Sequence, residues 1–553
     1  MNLSPELQFT LTRLNTALIQ GDDALLASCF EGTDLNVLLS QDILSKVRAR
    51  GKNVMVIFLA TLAVSNDIEP LRAQIWLDCY HSIAKKSLSP GLLALAEHNV
   101  LRLTLQALIQ GKALQKQDLA ACKGSPQQWQ DAFELTIDTR NWSSAVTLLE
   151  KLFQKKSDTL TWLNLSKSLS VRQEFFVDTS GIAQTDIDYI KLARLYEICA
   201  QAASKLRAFD VAQSIGYLRA KCLETSGEYG KAIDFMRGLA KGKNFTNAKI
   251  NIARCLCKSG DIPAAIHELD DAIRNHKSIQ ISATERPQLE AGIEPPRPVE
   301  KKFDVAKASK ALENLAMVFN AHGLQFFLVS GTLLGYEREG KLLDHDKDID
   351  IGVIGWEKQY DICMALQAST LFTVSPHFLK GHKSYYIPIR HNFTGVWIDI
   401  FVYHELDDKL VTGVDFFFGY RQTFAFTPFD LKPVNFLGVD MYVPSNTDLN
   451  LQENFGNWRV PDASYLSHLE SPSTTNKGGQ PHMLTARINA LGYIIQKKPL
   501  KIRKTIQILR EYKHSPWAMS EDLLQHLEGI CDELEQAQAP EVVSLPEEEM
   551  VHA

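Results

Sequence analysis

FFLVSGTLLGYEREGKLLDHDKDIDIG, residues 326–352, is the stretch on which the reading of this chain turns. It ends in four aspartates at two-residue spacing, Asp344, Asp346, Asp348 and Asp350, and the last two alternate with Ile349 and Ile351. On a β-strand every second side chain faces the same way, so Asp348 and Asp350 project together while the isoleucines enter a core. Adjacent carboxylates repel, and a divalent cation between them relieves the repulsion. Hard oxygen donors suit Mg²⁺ or Mn²⁺, and with them chemistry on phosphates. Upstream, Gln325–Val329 reads as a buried strand that runs into Ser330-Gly331-Thr332 and a helix-compatible segment. A strand, a small-residue turn and a helix start present backbone N–H groups to an anion, which makes Ser330, Gly331 and Thr332 candidate phosphate-binding residues.

This order of parts resembles polymerase-β-type nucleotidyltransferases. More narrowly, SGTLLGYEREG, HDKDIDIG and the later WIDIF, Trp397–Phe401, resemble the LicD and fukutin family of phosphotransferases. VPSNTDLNLQENFGNWRVPD, Val443–Asp462, resembles the fukutin branch, and the likeness covers roughly residues 303–500. The resemblance implies catalytic roles for Asp348, Asp350 and Asp399, the last from a neighbouring strand, with Asp346, Asp348 and Asp350 as metal ligands. Asp399 also reads as a surface aspartate on an edge strand. Arg338 would clamp a diphosphate, its plain alternative being an exposed helical arginine. Trp458 and Arg459 would stack on and pair with a substrate, or form the core and rim of a small subdomain.

The reaction implied is metal-dependent transfer of a phospho-alcohol, such as ribitol phosphate, glycerol phosphate or phosphocholine, from a CDP-alcohol donor to a hydroxyl of a glycan acceptor in surface polysaccharide biosynthesis. Two other readings remain: transfer of a nucleoside monophosphate to a small molecule or protein, and a non-catalytic scaffold.

The 553 residues are 45% hydrophobic and 22% charged, enough for more than one core. A formal net charge of −6 gives no basic excess with which to neutralise a nucleic acid. The nine cysteines are scattered, and Cys255 and Cys257 have no second pair at zinc-ligand spacing, which favours free buried thiols. Met1–Gln20 lacks the basic start and apolar core of a signal peptide, and the most apolar run, Val54–Val64, is too short to span a bilayer. A cytoplasmic location is expected, with peripheral contact at the inner membrane left open.

Residues 1–276 carry helix-period leucines and few strand signals. Within 190–275, AKCLETSGEYGKAI (Ala220–Ile233) and ARCLCKSGDIPAAI (Ala253–Ile266) align at an offset of 33 residues, a period that resembles tetratricopeptide repeats. Such a helical solenoid would bind a protein partner or self-associate, or act only as a spacer. Prolines at 287, 295, 296 and 298 mark a linker over 277–302. The fold expected is therefore multidomain: an all-α repeat region, a C-terminal α+β nucleotidyltransferase-fold domain over 303–515, and a terminal helix with an acidic tail over 516–553.

Overall fold

A computed structural model describes residues 22–29, 70–154, 187–240, 245–276 and 304–538, apart from short gaps in the last span, with a few isolated positions elsewhere. The proline-rich linker and the acidic tail lie outside the described residues. The helices before the linker are α1 Asp23–Ser28, α2 Pro70–Ala84, α3 Pro90–Leu93, α4 Val100–Ile109, α5 Pro126–Asp138, α6 Trp142–Gln154, α7 Tyr189–Lys205, α8 Phe209–Thr225, α9 Tyr229–Leu239, α10 Phe245–Ser259 and α11 Ile262–Arg274. Local chemistry sets several starts. Ser125 and Gln128 close a reciprocal capping box on α5, and Asp261 caps α11 ahead of Pro263. Gly227 and Gly260, aligned in the repeat, both turn the chain at positive φ, 82° and 88°. From α7 to α11 each helix packs on the next. This is the helical region expected, built of successive neighbouring helices.

The chain then forms α12 Val305–Ala321, β1 Phe327–Leu328, α13 Ser330–Glu339, β2 Ile349–Ile354, α14 Gln359–Ser369, β3 Phe372–Val374, β4 Tyr386–His391 and β5 Trp397–Leu406. Four more strands follow, β6 Lys409–Asp415, β7 Arg421–Phe426, β8 Leu431–Phe436 and β9 Val439–Pro444, and then α15 Thr447–Phe455 and α16 Ser467–Glu470. The mixed sheet runs β3-β4-β5-β2-β1-β9-β8, with β6 and β7 continuing from β5. β2 and β5 pair in parallel, as do β1 and β9. One face of the sheet buries Ile349, Ile351, Ile398 and Ile400 beneath α12, α13 and α14, and the other buries Phe327, Tyr403, Phe424 and Phe426.

Among the described residues three helices follow, α17 Gln480–Ile495, α18 Pro499–Glu511 and α19 Glu521–Gln538. They do not extend the core of the sheet. Met483, Leu491, Ile506 and Leu527 share one continuous core with Leu269 and Ile273 of α11 and the helices before it. The sheet domain is thus an insertion between α11 and α17 of a single helical body, and the boundary expected at residue 515 falls inside that body. Arg487 of α17 marks the junction. Its side chain is wholly buried; Nε donates to Asp270 Oδ1 of α11 at 2.7 Å, and its other nitrogens reach the carbonyls of Met483, Trp517 and Ala518. A guanidinium is tolerated there because its donors are met.

All nine cysteines are free and buried, as the scattered spacing implied. Among the described residues no helix is long and apolar enough to cross a membrane.

Removing the Arg487 guanidinium strands the Asp270 carboxylate and three carbonyls. Arg487→Ala is expected to destabilise the chain by about 3–5 kcal/mol in urea unfolding, whereas Arg487→Met with Asp270→Asn costs less than the sum of the single changes.

Candidate active site

The site forms where three chain segments meet at the ends of β1, β2 and β5. The parallel register of β2 and β5 places Asp350 directly beside Asp399, and their side chains share a face. Asp348 stands one residue before β2, not within it as the alternation implied, on the same face by the two-residue period. Both neighbours of Asp350 in sequence, Ile349 and Ile351, are fully buried on the other face, which locks the register.

The turn from β1 to α13 holds Asp350 from the opposite side. Gly331 donates its N–H to Asp350 Oδ2 at 2.9 Å, and Asp350 donates its own N–H to Thr332 Oγ1 at 2.8 Å. Thr332 is wholly buried, so its hydroxyl fixes the backbone of Asp350 rather than meeting a ligand. Gly331 has no room for a side chain: a Cβ there would lie 2.7 Å from Asp346 Oδ2 and 3.2 Å from Asp350 Oδ2. That contact also places Asp346 in the cluster. Ser330 sits at φ 46°, a left-handed conformation that costs a non-glycine residue energy, and its Oγ accepts from Asn454 Nδ2 of α15 at 3.4 Å.

Electrostatics follow from this crowding. Loss of water pushes the Asp399 carboxyl up to about 7, with the Asp348 charge adding and the Tyr386 hydroxyl opposing. Burial, then Asp348, Asp346 and Asp399, raise Asp350 far above the carboxylate range against the pull of the Gly331 N–H. Asp348 is raised by burial too, with Lys347 lowering it. A cation would remove this repulsion, and Asp346, Asp348, Asp350 and Asp399 offer the hard oxygens that Mg²⁺ or Mn²⁺ takes. Among the described residues no three His, Cys, Asp or Glu side chains are gathered as a ready metal cage.

Tyr386 is a member of the site that the sequence reading passed over. Its hydroxyl donates to Asp399 Oδ1 at 3.0 Å from the adjacent strand β4, and only the β4–β5 register, Pro388 opposite Asp399, brings it there. Asn454 was missed in the same way, although it opens the Asn-Phe-Gly-Asn-Trp segment, because its partner Ser330 is 124 residues distant. The remaining candidates pair with groups other than these carboxylates. Arg338 is largely buried on α13 beside Glu339. Trp458 Nε1 and the exposed Arg459 guanidinium both bind Asp448 of α15, with Arg459 Cζ 4.4 Å above the Trp458 ring. Asp344 pairs with Lys341 at 3.1 Å.

Two outcomes test this arrangement. In the metal-free chain Asp399 holds, between about pH 4 and pH 7, a proton that the unfolded chain releases, so it contributes stability at the acid end that is lost as pH rises. The rise in Tm produced by Mg²⁺ is therefore expected to grow between about pH 5 and pH 8 in calorimetric scans, and Asp399→Asn raises the metal-free Tm at the upper end by about 2–4 °C. Gly331→Ala, which thrusts a methyl into Asp346 and Asp350, weakens Mn²⁺ binding at least about tenfold by titration calorimetry.

Comparison with known proteins places this geometry. Residues 323–446 match the family model described as LicD/FKTN/FKRP, nucleotidyltransferase domain. Ribitol-5-phosphate transferase FKTN from Macaca fascicularis and from Homo sapiens are each 28% identical to the chain over 179 residues, and that from Mus musculus is 28% identical over 180. Each match covers 32% of this chain and 38% of the relative, so the chain spans well under half the length of these relatives. Residues 323–446 of this chain therefore resemble the nucleotidyltransferase domain of the LicD/FKTN/FKRP family.

Proposed function

We propose that this chain transfers a phospho-alcohol from a CDP-alcohol to a hydroxyl of a glycan, with Mg²⁺ or Mn²⁺ bound at the carboxylates. The observation that carries the reading is the in-register pair Asp350 and Asp399, with Asp348 beside them and the β1–α13 turn against Asp350. Asp348 and Asp350, with Asp346, hold the cation. When bound, it neutralises the diphosphate and polarises the phosphorus under attack.

The chain's own residues do the rest. Ser330 and the start of α13 lie where the donor diphosphate meets the carboxylates, and the α13 dipole favours its charge. Asp399, its Oδ1 held by the Tyr386 hydroxyl, accepts the proton of the attacking hydroxyl. The hydroxyl oxygen bonds to the phosphorus that carries the alcohol, the anhydride P–O bond breaks, and CMP leaves with its electron pair. The names of the FKTN relatives, ribitol-5-phosphate transferases, support ribitol phosphate as the first donor group to try. The helical body, continuous with α17 to α19, supplies the surface on which a protein partner or a second copy of the chain would dock.

The test is incubation of the full chain with CDP-ribitol, CDP-glycerol and CDP-choline plus Mg²⁺ or Mn²⁺, scoring CMP with and without glycans. Metal-dependent CMP release from one donor is expected, falling by about 10³-fold or more in Asp348→Ala/Asp350→Ala. Release of pyrophosphate from nucleoside triphosphates, with no CMP from any donor, would instead establish nucleotidyl transfer.

A further inference from the structure

The face of β4 and β5 that carries Asp399 does not end there. Trp397 shares that face with Asp399 and Phe401 by the two-residue period, and the antiparallel register sets Arg390 opposite Trp397, Pro388 opposite Asp399 and Tyr386 opposite Phe401. On the other side of β5, the parallel register with β2 pairs Ile398 with Ile349 and Asp399 with Asp350, so Trp397 lies one residue before the paired stretch, at the end from which Asp348 leads into β2. The indole is thus next to the carboxylates, about 7 Å along the strand from Asp399.

Trp397 is also exposed. At 37% of its surface open, it is a large aromatic left facing solvent on a strand whose inward residues, Ile398, Ile400 and Val402, are wholly buried. Arg390 lies over one face of the ring: Cζ is 5.9 Å from the centroid, and Nε donates to the Gly395 carbonyl at 3.3 Å across the β4–β5 turn. The pair offers a flat apolar ring whose second face is not covered by Arg390, with a fork of hydrogen-bond donors above the first. A pyranose matches both parts, since its C–H face covers an indole while its hydroxyls accept from a guanidinium.

Placement distinguishes acceptor from donor. Asp350 is gripped on its β1 side by Gly331 at the start of α13, where the transferase reading puts the donor phosphates, whereas Trp397, Arg390 and Asp399 stand on its β5 side. In-line displacement puts the entering and leaving oxygens on opposite sides of the phosphorus. CMP therefore departs toward α13, and the attacking hydroxyl enters from β5.

We propose that Trp397 and Arg390 form the subsite on which a sugar ring of the glycan acceptor stacks, presenting its hydroxyl to Asp399. This rests on the transferase reading above and names where its acceptor binds. Trp458 and Arg459, tied to Asp448, are then not the acceptor platform.

Saturation-transfer NMR on the full chain with Mg²⁺ tests it, using CMP together with the methyl glycosides of galactose, glucose, N-acetylgalactosamine and N-acetylglucosamine. Transfer to the ring protons of at least one glycoside is expected, lost about tenfold or more in Trp397→Ala, largely kept in Trp397→Phe, and reduced in Arg390→Gln, with transfer to the cytosine protons unchanged throughout. Trp397 is exposed, and thermal scans verify that the variants fold. No glycoside signal on the wild type, or signals that Trp397→Ala leaves intact, would overturn the proposal. Loss of cytosine signals in Trp397→Ala would also overturn it, by making the indole part of the donor site. Absence of CMP binding to the wild type strikes at the transferase reading instead, while the glycoside signals still decide the platform.

Discussion

Asp350 and Asp399 stand side by side on parallel strands, and the organisation of the inserted domain answers to the repulsion between them. Two half-buried carboxylates, with Asp348 and Asp346 close by, cannot all be ionised at neutral pH without a cation or a set of donors. The protein supplies some donors itself, the Gly331 N–H to Asp350 and the Tyr386 hydroxyl to Asp399. These fix position more than they neutralise charge, since both carboxyls remain raised. What holds them in place is apolar: Ile349, Ile351, Ile398 and Ile400 on the reverse face bind the strands in register. A slip of one residue would send the aspartates into the core.

The second constraint is how the inserted domain is tethered. α17 to α19 belong to the same core as the helices before the linker, so both ends of the sheet domain return to one body. Arg487 and Asp270 join those halves through a buried ion pair. Near the site, α15 reaches Ser330 through Asn454, and Tyr465 reaches the Asn454 carbonyl through its hydroxyl while packing on Phe455. Lys504 of α18 pairs with Glu470 just beyond, so the helical body contacts the segment that steadies the strained turn at Ser330. The helices and the chemistry are therefore mechanically connected.

Much of the inserted domain was legible in the chain. The alternation of Trp397–Phe401 with isoleucines sorts Asp399 from the core correctly, and that stretch forms the start of the strand Trp397–Leu406. β6 to β9 were not anticipated. Lys409–Asp415 carries its threonine and glycine among the buried positions, and Leu431–Phe436 exposes Lys432, Pro433 and Asn435 and buries only Phe436, so neither shows a clean period of two. β9 nevertheless pairs beside β1 near the middle of the sheet, since Met441 and Val443 have the core to enter.

By itself the sequence determined the local elements and the residue types of the site: the Ser-Gly-Thr turn, the aspartates at spacing two, and the small-residue repeat near Gly227 and Gly260. Each is a matter of backbone period or steric freedom within a few residues, which neighbours in the chain can express. Only the tertiary structure decided that Tyr386 meets Asp399, that Asn454 meets Ser330, that Arg390 lies over Trp397, and that the last helices join the first in one core. Those facts depend on strand register and on contacts across 13 to 217 residues, as with Tyr386 to Asp399 and Asp270 to Arg487. They are settled by how whole faces pack, and no short stretch of sequence carries that information.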